Sequence, residues 1–165
     1  MDYHIEQISL DFAQNLCREI TKDLPEYSGL PEANEHYAIG MLSRISFAAI
    51  VDKQFVGLLT LEFPYPENAN IFWIGVLRSF HGKGIGHALV NAATRFAQTQ
   101  GAGSLSVETL SSKESNDDYM KTYEFYKNCG FKPLFDLKPS GFEYNMVYML
   151  QAHLREKSAV ILLHQ

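Results

Sequence analysis

The sequence predicts one mixed α/β domain, with elements in the order ααββ, β, α, β, α, ββ, a largely antiparallel meander near the N-terminus and a central strand that feeds a helix. Three observations carry this. The apolar period switches repeatedly between the three-to-four spacing of a helix and the alternation of a strand. One run, Asn70 to Val76, is almost wholly apolar, as a strand covered on both faces in the middle of a sheet should be. No fixed-period repeat and no Gly/Ser-rich or Pro-rich linker divides the 165 residues, which fits a single unit over 1–165, with its core over about 47–150 and a tail over 151–165.

Taken in order, Ser9 precedes Leu10, Ala13, Leu16, Cys17 and Ile20, whose spacing predicts an amphipathic helix ending before Pro25. Pro25 to Asn34 has a turn-forming composition, and Tyr37, Met41, Leu42 and Ile45 predict a short second helix. From Phe47 the period is two: Phe47 to Val51, a turn at Asp52-Lys53, then Phe55 to Phe63 with Phe55, Leu59, Leu61 and Phe63 on one face, a β-hairpin. After the Asn70 to Val76 strand, Ile85, Leu89, Ala92, Ala93 and Phe96 mark one face of a helix that stops near Gly101. A strand over Ser104 to Leu110 follows. Asn116 or Asp117 is suited to cap a helix carrying Tyr119, Tyr123 and Tyr126, closed by Gly130. Strands over Phe131 to Leu137 and Phe142 to Leu150 finish the domain, and the apolar run Ala159 to Leu163 has no assigned place.

Composition narrows the function. Hydrophobic residues make up 46% of the chain and charged residues 20%, enough to build a core, so disorder is excluded. The formal charge of −5 argues against nucleic acid as a partner and mildly favours a cationic one. Cys17 and Cys129 are too few for a disulfide scaffold or a cysteine zinc site; reduced thiols in a cytoplasm and no metal are expected. Met1-Asp2-Tyr3-His4 has neither a basic region nor an apolar run, and no stretch approaches the roughly 20 apolar residues of a membrane span. A soluble, cytoplasmic protein is the expectation.

The chemistry-bearing segment is His81-Gly82-Lys83-Gly84-Ile85-Gly86-His87, set between the apolar strand and a helix. There the free backbone N–H groups of a helix start converge on an anion, the glycines let it approach, and Lys83 adds a positive charge, which suits a pyrophosphate. The dinucleotide fingerprint needs glycine where His87 stands, and an ATP-type loop needs it where Leu77 stands; both motifs fail.

The loop resembles the pyrophosphate loop of the GCN5-related N-acetyltransferase (GNAT) superfamily, Gln/Arg-x-x-Gly-x-Gly/Ala, with His81 in the Gln/Arg position and Trp73-Ile74-Gly75-Val76 before it. Phe125-Tyr126-Lys127-Asn128-Cys129-Gly130-Phe131 is similar to the family's aromatic-Tyr-x-x-x-Gly-Phe signature. The resemblance covers about Phe47 to Leu150. It implies a mixed, mostly antiparallel sheet flanked by helices and splayed at its central strand, with acetyl-CoA as co-substrate held by Val76, His81, Gly82, Lys83, Gly84, Ile85, Gly86 and His87. It further implies transfer of the acetyl group to a primary amine by direct attack in a ternary complex, with Tyr126 as general acid and the Val76 backbone N–H facing the oxyanion. A homodimer would follow family habit, with the apolar tail on a second subunit.

The base does not carry over, because Asn70 stands where some members have a glutamate. Glu62 and Glu108 alternate onto strand faces that can line an acceptor cleft, Glu108 being preferred for its proximity to Tyr126; His36 and His81 are lesser candidates, and the alternative for both carboxylates is a solvated place on an exposed strand face. Tyr119 stands where the family often has asparagine, and Thr122 where it has a small residue. Glu26, Glu32, Glu114, Asp117 and Asp118 give the expected acceptor rim an acidic cast suited to a polyamine, an aminoglycoside-like compound or a peptide amine. The rival from another class is a catalytically silent acyl-CoA-binding module that regulates a partner.

Overall fold

The computed structural model describes residues 1–114 and 116–152. The elements are β1 (Tyr3–Ile8), α1 (Leu10–Asp23), α2 (Pro31–Gly40), β2 (Ile45–Val51), β3 (Gln54–Tyr65), β4 (Asn68–Val76), α3 (Ile85–Thr99), β5 (Ser104–Leu110), α4 (Asp117–Asn128), β6 (Lys132–Leu137) and β7 (Met146–Ala152), with short 3₁₀ turns at Met41–Ser43 and Arg78–Phe80. They form a seven-stranded sheet in the order β1-β2-β3-β4-β5-β7-β6, so the apolar run forms the middle strand. All neighbours are antiparallel except β4 and β5.

Two apolar layers hold the sheet. On one face α3 and α4 bury Ile85, Leu89, Val90, Ala93, Tyr123 and Tyr126 against Leu59, Leu61, Ile71, Leu105, Val107 and Met149. On the other, α1 and the end of α2 bury Leu16, Ile20, Ala38 and Met41 against Ala48 and Leu58. Fully burying a Leu or Ile side chain is worth about 1.5–3 kcal/mol, so these layers supply the main drive for folding.

The parallel β4–β5 pairing runs only from Asn68 opposite Ser104 to Ile71 opposite Val107. Beyond it β4 continues to Val76 paired with β3 alone, and the sheet splays. Here the expectation of a strand covered on both faces needs correction: Phe72 to Val76 are half-exposed, because β5 has moved away.

Other differences have local causes. β1 was not foreseen; it is a short edge strand whose residues are mostly exposed, so its apolar alternation is weak. The second helix starts earlier than expected, with Pro31 pre-setting φ in its first turn, and Ile45 opens β2 instead of ending a helix. Phe55 leaves the face it was assigned. In the β2–β3 register Ala49 faces Gly57 and Ile50 faces Phe55, so Val56 is an extra residue, and this bulge turns Phe55 over to meet the Phe12 ring of α1 at 4.4 Å. The last strand starts at Met146, since Gly141 at φ 83° and the turn from Pro139 to Phe142 keep residues 142–145 out of the ladder. The apolar run Ala159 to Leu163, expected against a second subunit, lies outside the described residues.

Candidate active site

The splay makes an opening into which three elements deliver groups. The first is the glycine loop. Gly82 and Gly84 adopt φ of 70° and 81°, left-handed values that favour glycine, and a Cβ on either would meet nothing within 4 Å. The turn is therefore shaped to bring backbone close to something outside the chain. Gly84 caps α3, whose first internal bond is Ala88 N–H to Gly84 O, so the N–H groups of Ile85, Gly86 and His87 remain free at the positive end of the helix dipole. Lys83 is exposed on the same turn, its Nζ 5.1 Å from the Phe80 ring centre. His81 folds back: its Nε2 donates to the Val76 carbonyl at 2.6 Å and ties the loop to the strand end.

The second is the end of β4. Leu77 N–H donates to Val56 O on β3 at 2.8 Å. Adjacent peptide groups of an extended strand point in opposite directions, so the Val76 N–H faces the opening.

The third is α4. Asn116 Oδ1 accepts from the Tyr119 N–H at 3.1 Å and caps its start. At its end Gly130 takes φ 90°, Phe131 N–H donates to Tyr126 O, and Gly130 N–H to Lys127 O. These are the two bonds of a Schellman end, and its accompanying apolar contact is the Phe131 ring on Tyr126, 5.6 Å between centres. Tyr126 is thus fixed by how its helix stops. It is 4% exposed, and burial, aided by Cys129 and Tyr37, holds its hydroxyl protonated far above the ordinary tyrosine value. A cavity of about 490 Å³ joins Tyr126 and Val76 to the glycine loop, with Leu24, Tyr27, Ile74, Tyr119, Thr122 and Phe125 in its walls.

The two carboxylates fall on the sheet face opposite α3. Glu62 accepts from Arg44 Nε at 2.8 Å and from Asn70 Nδ2 at 2.9 Å, and Asn70 Oδ1 accepts from Ser106 at 2.8 Å. Glu62 is therefore neutralised and held. Glu108 is exposed and faces Tyr148 across the β5–β7 pair, and its carboxylate is the chief reason that the Tyr148 hydroxyl is pushed up to about 12, with burial adding to it. Tyr37 likewise stays protonated above its ordinary value, mainly through burial, with the charges of Glu108, Tyr119 and Glu62 adding to it. Tyr37 thus lies within electrostatic reach of both Glu108 and Tyr126. His36 is exposed on α2. Much of the acidic rim is engaged within the chain: Glu26 with Arg78 at 2.5 Å, Asp118 with Lys121 at 3.5 Å, and Glu114 with the Asn145 N–H at 2.8 Å.

The pattern of the acetyltransferase (GNAT) family matches residues 13–131, most of the chain and both signature segments. The chain belongs to the GNAT family of acetyltransferases. None of the curated proteins compared with it matches. Among solved structures, a GNAT-family protein from Desulfovibrio desulfuricans is similar to this acetyltransferase with a TM-score of 0.76 and 17% identity over 92% of this chain and 99% of that one. The aminoglycoside 6'-N-acetyltransferase of Enterococcus faecium aligns with a TM-score of 0.68 and 19% identity, covering 90% and 96% of the two chains. A Bacillus anthracis protein described as a streptothricin acetyltransferase, in complex with acetyl coenzyme A, gives a TM-score of 0.59 and 19% identity over 67% and 62%. At these identities the likeness is one of fold.

Acetyl-CoA is the co-substrate of this family, and the site of this GNAT acetyltransferase fits it. Glycines with open space in front of them and free N–H groups at a helix start suit its pyrophosphate, and the unpaired edge of β4 suits the strand-like pantetheine arm. Sequence reasoning missed Tyr37, Arg44 and Tyr148, none of which lies in a motif. Tyr148 was legible only through strand register, since it faces Glu108 across the β5–β7 pair.

Proposed function

We propose that this acetyltransferase moves the acetyl group of acetyl-CoA to a primary amine of a small molecule or peptide by direct attack within a ternary complex. The observation that carries this reading is the buried Tyr126 hydroxyl in the cavity that begins at the glycine loop. Acetyl-CoA supplies an activated thioester carbonyl. As the amine nitrogen bonds to that carbon, charge grows on the carbonyl oxygen, where the Val76 N–H is aimed. The C–S bond then breaks, the sulfur takes the Tyr126 proton, and the nitrogen gives up a proton through Glu108. Burial that makes the phenol a weak acid also makes a thiolate beside it more basic, so donor and acceptor stay matched. Glu62, already bound by Arg44 and Asn70, positions the neighbouring strands and takes no proton. His81, Gly82, Lys83, Gly84, Ile85, Gly86 and His87 hold the cofactor, mainly through backbone. The two free thiols fit a cytoplasmic setting.

The test is Tyr126→Phe. With acetyl-CoA and an accepted amine, kcat is expected to fall by roughly 100- to 10,000-fold while the Kd for CoA is unchanged. Full activity with an unchanged pH profile would remove Tyr126 from the acid role. Binding of CoA by the native chain with no turnover on any amine would leave an acyl-CoA-binding module in place of an enzyme.

A further inference from the structure

The face of the sheet opposite α3 is only partly covered. There α1 and the end of α2 pack on β2, β3 and β4, while the half built from β5, β7 and β6 is uncovered among the described residues: Glu108 is exposed, Tyr148 half-exposed, and Phe135 and Leu137 are 56% and 46% exposed. Register arranges this open half in rows. Glu108, Tyr148 and Phe135 lie side by side across the three strands, and Leu110, Met146 and Leu137 form the next row. Tyr148 and Phe135 stack with ring centres 5.3 Å apart and planes at 30°. From the α2 side Tyr37 closes the platform, edge-on to Phe72 at 5.3 Å.

Two charges stand in adjacent rows of this platform, the carboxylate of Glu108 beside Tyr148 and the exposed cation Lys132, in the row of Ser106 and Leu150, which itself repels a second positive charge on an acceptor. Glu62 is spent on Arg44 and Glu26 on Arg78, while Asp136, paired with Lys113, lies with Val147 on the opposite face of the sheet. Among the described residues Glu108 makes no salt bridge and faces Tyr148 across the β5–β7 pair. Only β7 is paired on both sides along this platform; β6 is an edge strand and β5 loses β4 beyond Val107, so among the described residues free main-chain groups lie at the two edges, and the face between them presents side chains.

We infer that the acceptor of this acetyltransferase is a monoamine with a flat apolar body, its ring lying on Tyr148 and Phe135 and its one ammonium beside Glu108. This rests on the proposed N-acetyl transfer and narrows its substrate. One carboxylate matches one cation, and aromatic faces add both stacking and cation–π attraction. A polycation would leave its further charges against Leu110, Met146 and Leu137 without partners, a costly burial.

The experiment measures thiol release from acetyl-CoA with phenethylamine, tyramine, spermidine, kanamycin and an N-terminally free peptide as acceptors. An aryl monoamine is expected to exceed spermidine and kanamycin in kcat/KM by about tenfold or more. In Phe135→Ala, which alters an exposed side chain and spares the core, the KM for the aryl monoamine should rise about tenfold with kcat little changed. In Glu108→Gln the kcat/KM for phenethylamine should fall about tenfold, and its advantage over spermidine and kanamycin should shrink. Faster turnover of spermidine, kanamycin or the peptide, or an unchanged KM in Phe135→Ala, overturns the inference while leaving N-acetyl transfer intact. CoA binding by thermal melt with no thiol release on any amine overturns the N-acetyl reading itself.

Discussion

Gly84 joins backbone strain to ligand binding in one residue. Its φ of 81° is a value an alanine adopts only at a cost of about 1–2 kcal/mol, and no neighbouring atom clashes with a Cβ there. Gly84→Ala should therefore lose stability through backbone alone, a fall in Tm of roughly 2–8 °C for a domain of this size. The added methyl also projects into the space that the free N–H groups of α3 face, so the Kd for CoA should rise as well. Thermal melts with and without CoA check both effects; an unchanged Tm and Kd would show that the turn is not read correctly. Gly86 differs, since a Cβ there comes 3.0 Å from the Phe125 ring. That ring also stands edge-on to His87 at 5.2 Å, so Gly86 is a packing glycine joining α3 to α4. Two glycines two positions apart thus serve different ends.

At the scale of elements, the signature around Tyr126 has a physical account. Gly130 permits the left-handed stop, Phe131 then clamps the Tyr126 ring, and the hydroxyl is carried to one place by the end of a helix. The β2–β3 hairpin is less well served by its sequence. Asp52 and Lys53 both have positive φ, 47° and 68°, as a two-residue turn with the right strand twist requires, but lysine carries a Cβ that resists this. Lys53→Gly should stabilise the protein by about 0.5–1 kcal/mol, a rise in Tm of roughly 1–4 °C measured by calorimetry. A fall would mean that Lys53 contributes contacts beyond its own turn. This hairpin also shows what a sequence can and cannot disclose. Alternation located both strands and the turn, because side-chain direction in a strand is a local property. The bulge at Val56 was illegible, because it depends on how β3 pairs with β2, and it moved Phe55 to the other face. Likewise the glycine loop is a fixed local spacing, and Tyr126 stands in a segment that resembles a family signature, so both stand out in the sequence. Tyr148 and Tyr37 reach Glu108 only through register and helix packing, which no local pattern records.

Across the whole molecule the site depends on joining the cofactor loop to the segment after α1. Arg78, just beyond β4, reaches back to that segment: its N–H donates to Asp23 Oδ2 at 2.6 Å, its guanidinium to Asp23 O at 3.0 Å and to Glu26 at 2.7 Å. The same segment accepts the Tyr119 hydroxyl at Tyr27 O, so both walls of the splay hold it. The hydrogen bond from Arg78 is the main reason the Glu26 carboxyl drops from its ordinary 4.5 to about 2. A carboxylate whose pKa is lower folded than unfolded binds fewer protons in the native state, so its stabilising effect is complete above pH 4.5 and disappears as pH falls toward 2. Glu35 beside Arg18 and Asp136 beside Lys113 are lowered in the same sense, so the native protein should lose Tm steadily below about pH 5. Arg78→Ala isolates the clamp. Its deficit in Tm relative to the native chain should be largest near neutral pH and close as pH approaches 2, and added salt should shrink it, since the pair is at the surface. A deficit that stayed constant across pH would assign the stabilising role of Arg78 to its bonds with Asp23 and not to its charge pair with Glu26. If the clamp also sets the width of the splay, the same variant should raise the KM for the amine more than the Kd for CoA, because it frees the acceptor-side segment and leaves the glycine turn in place.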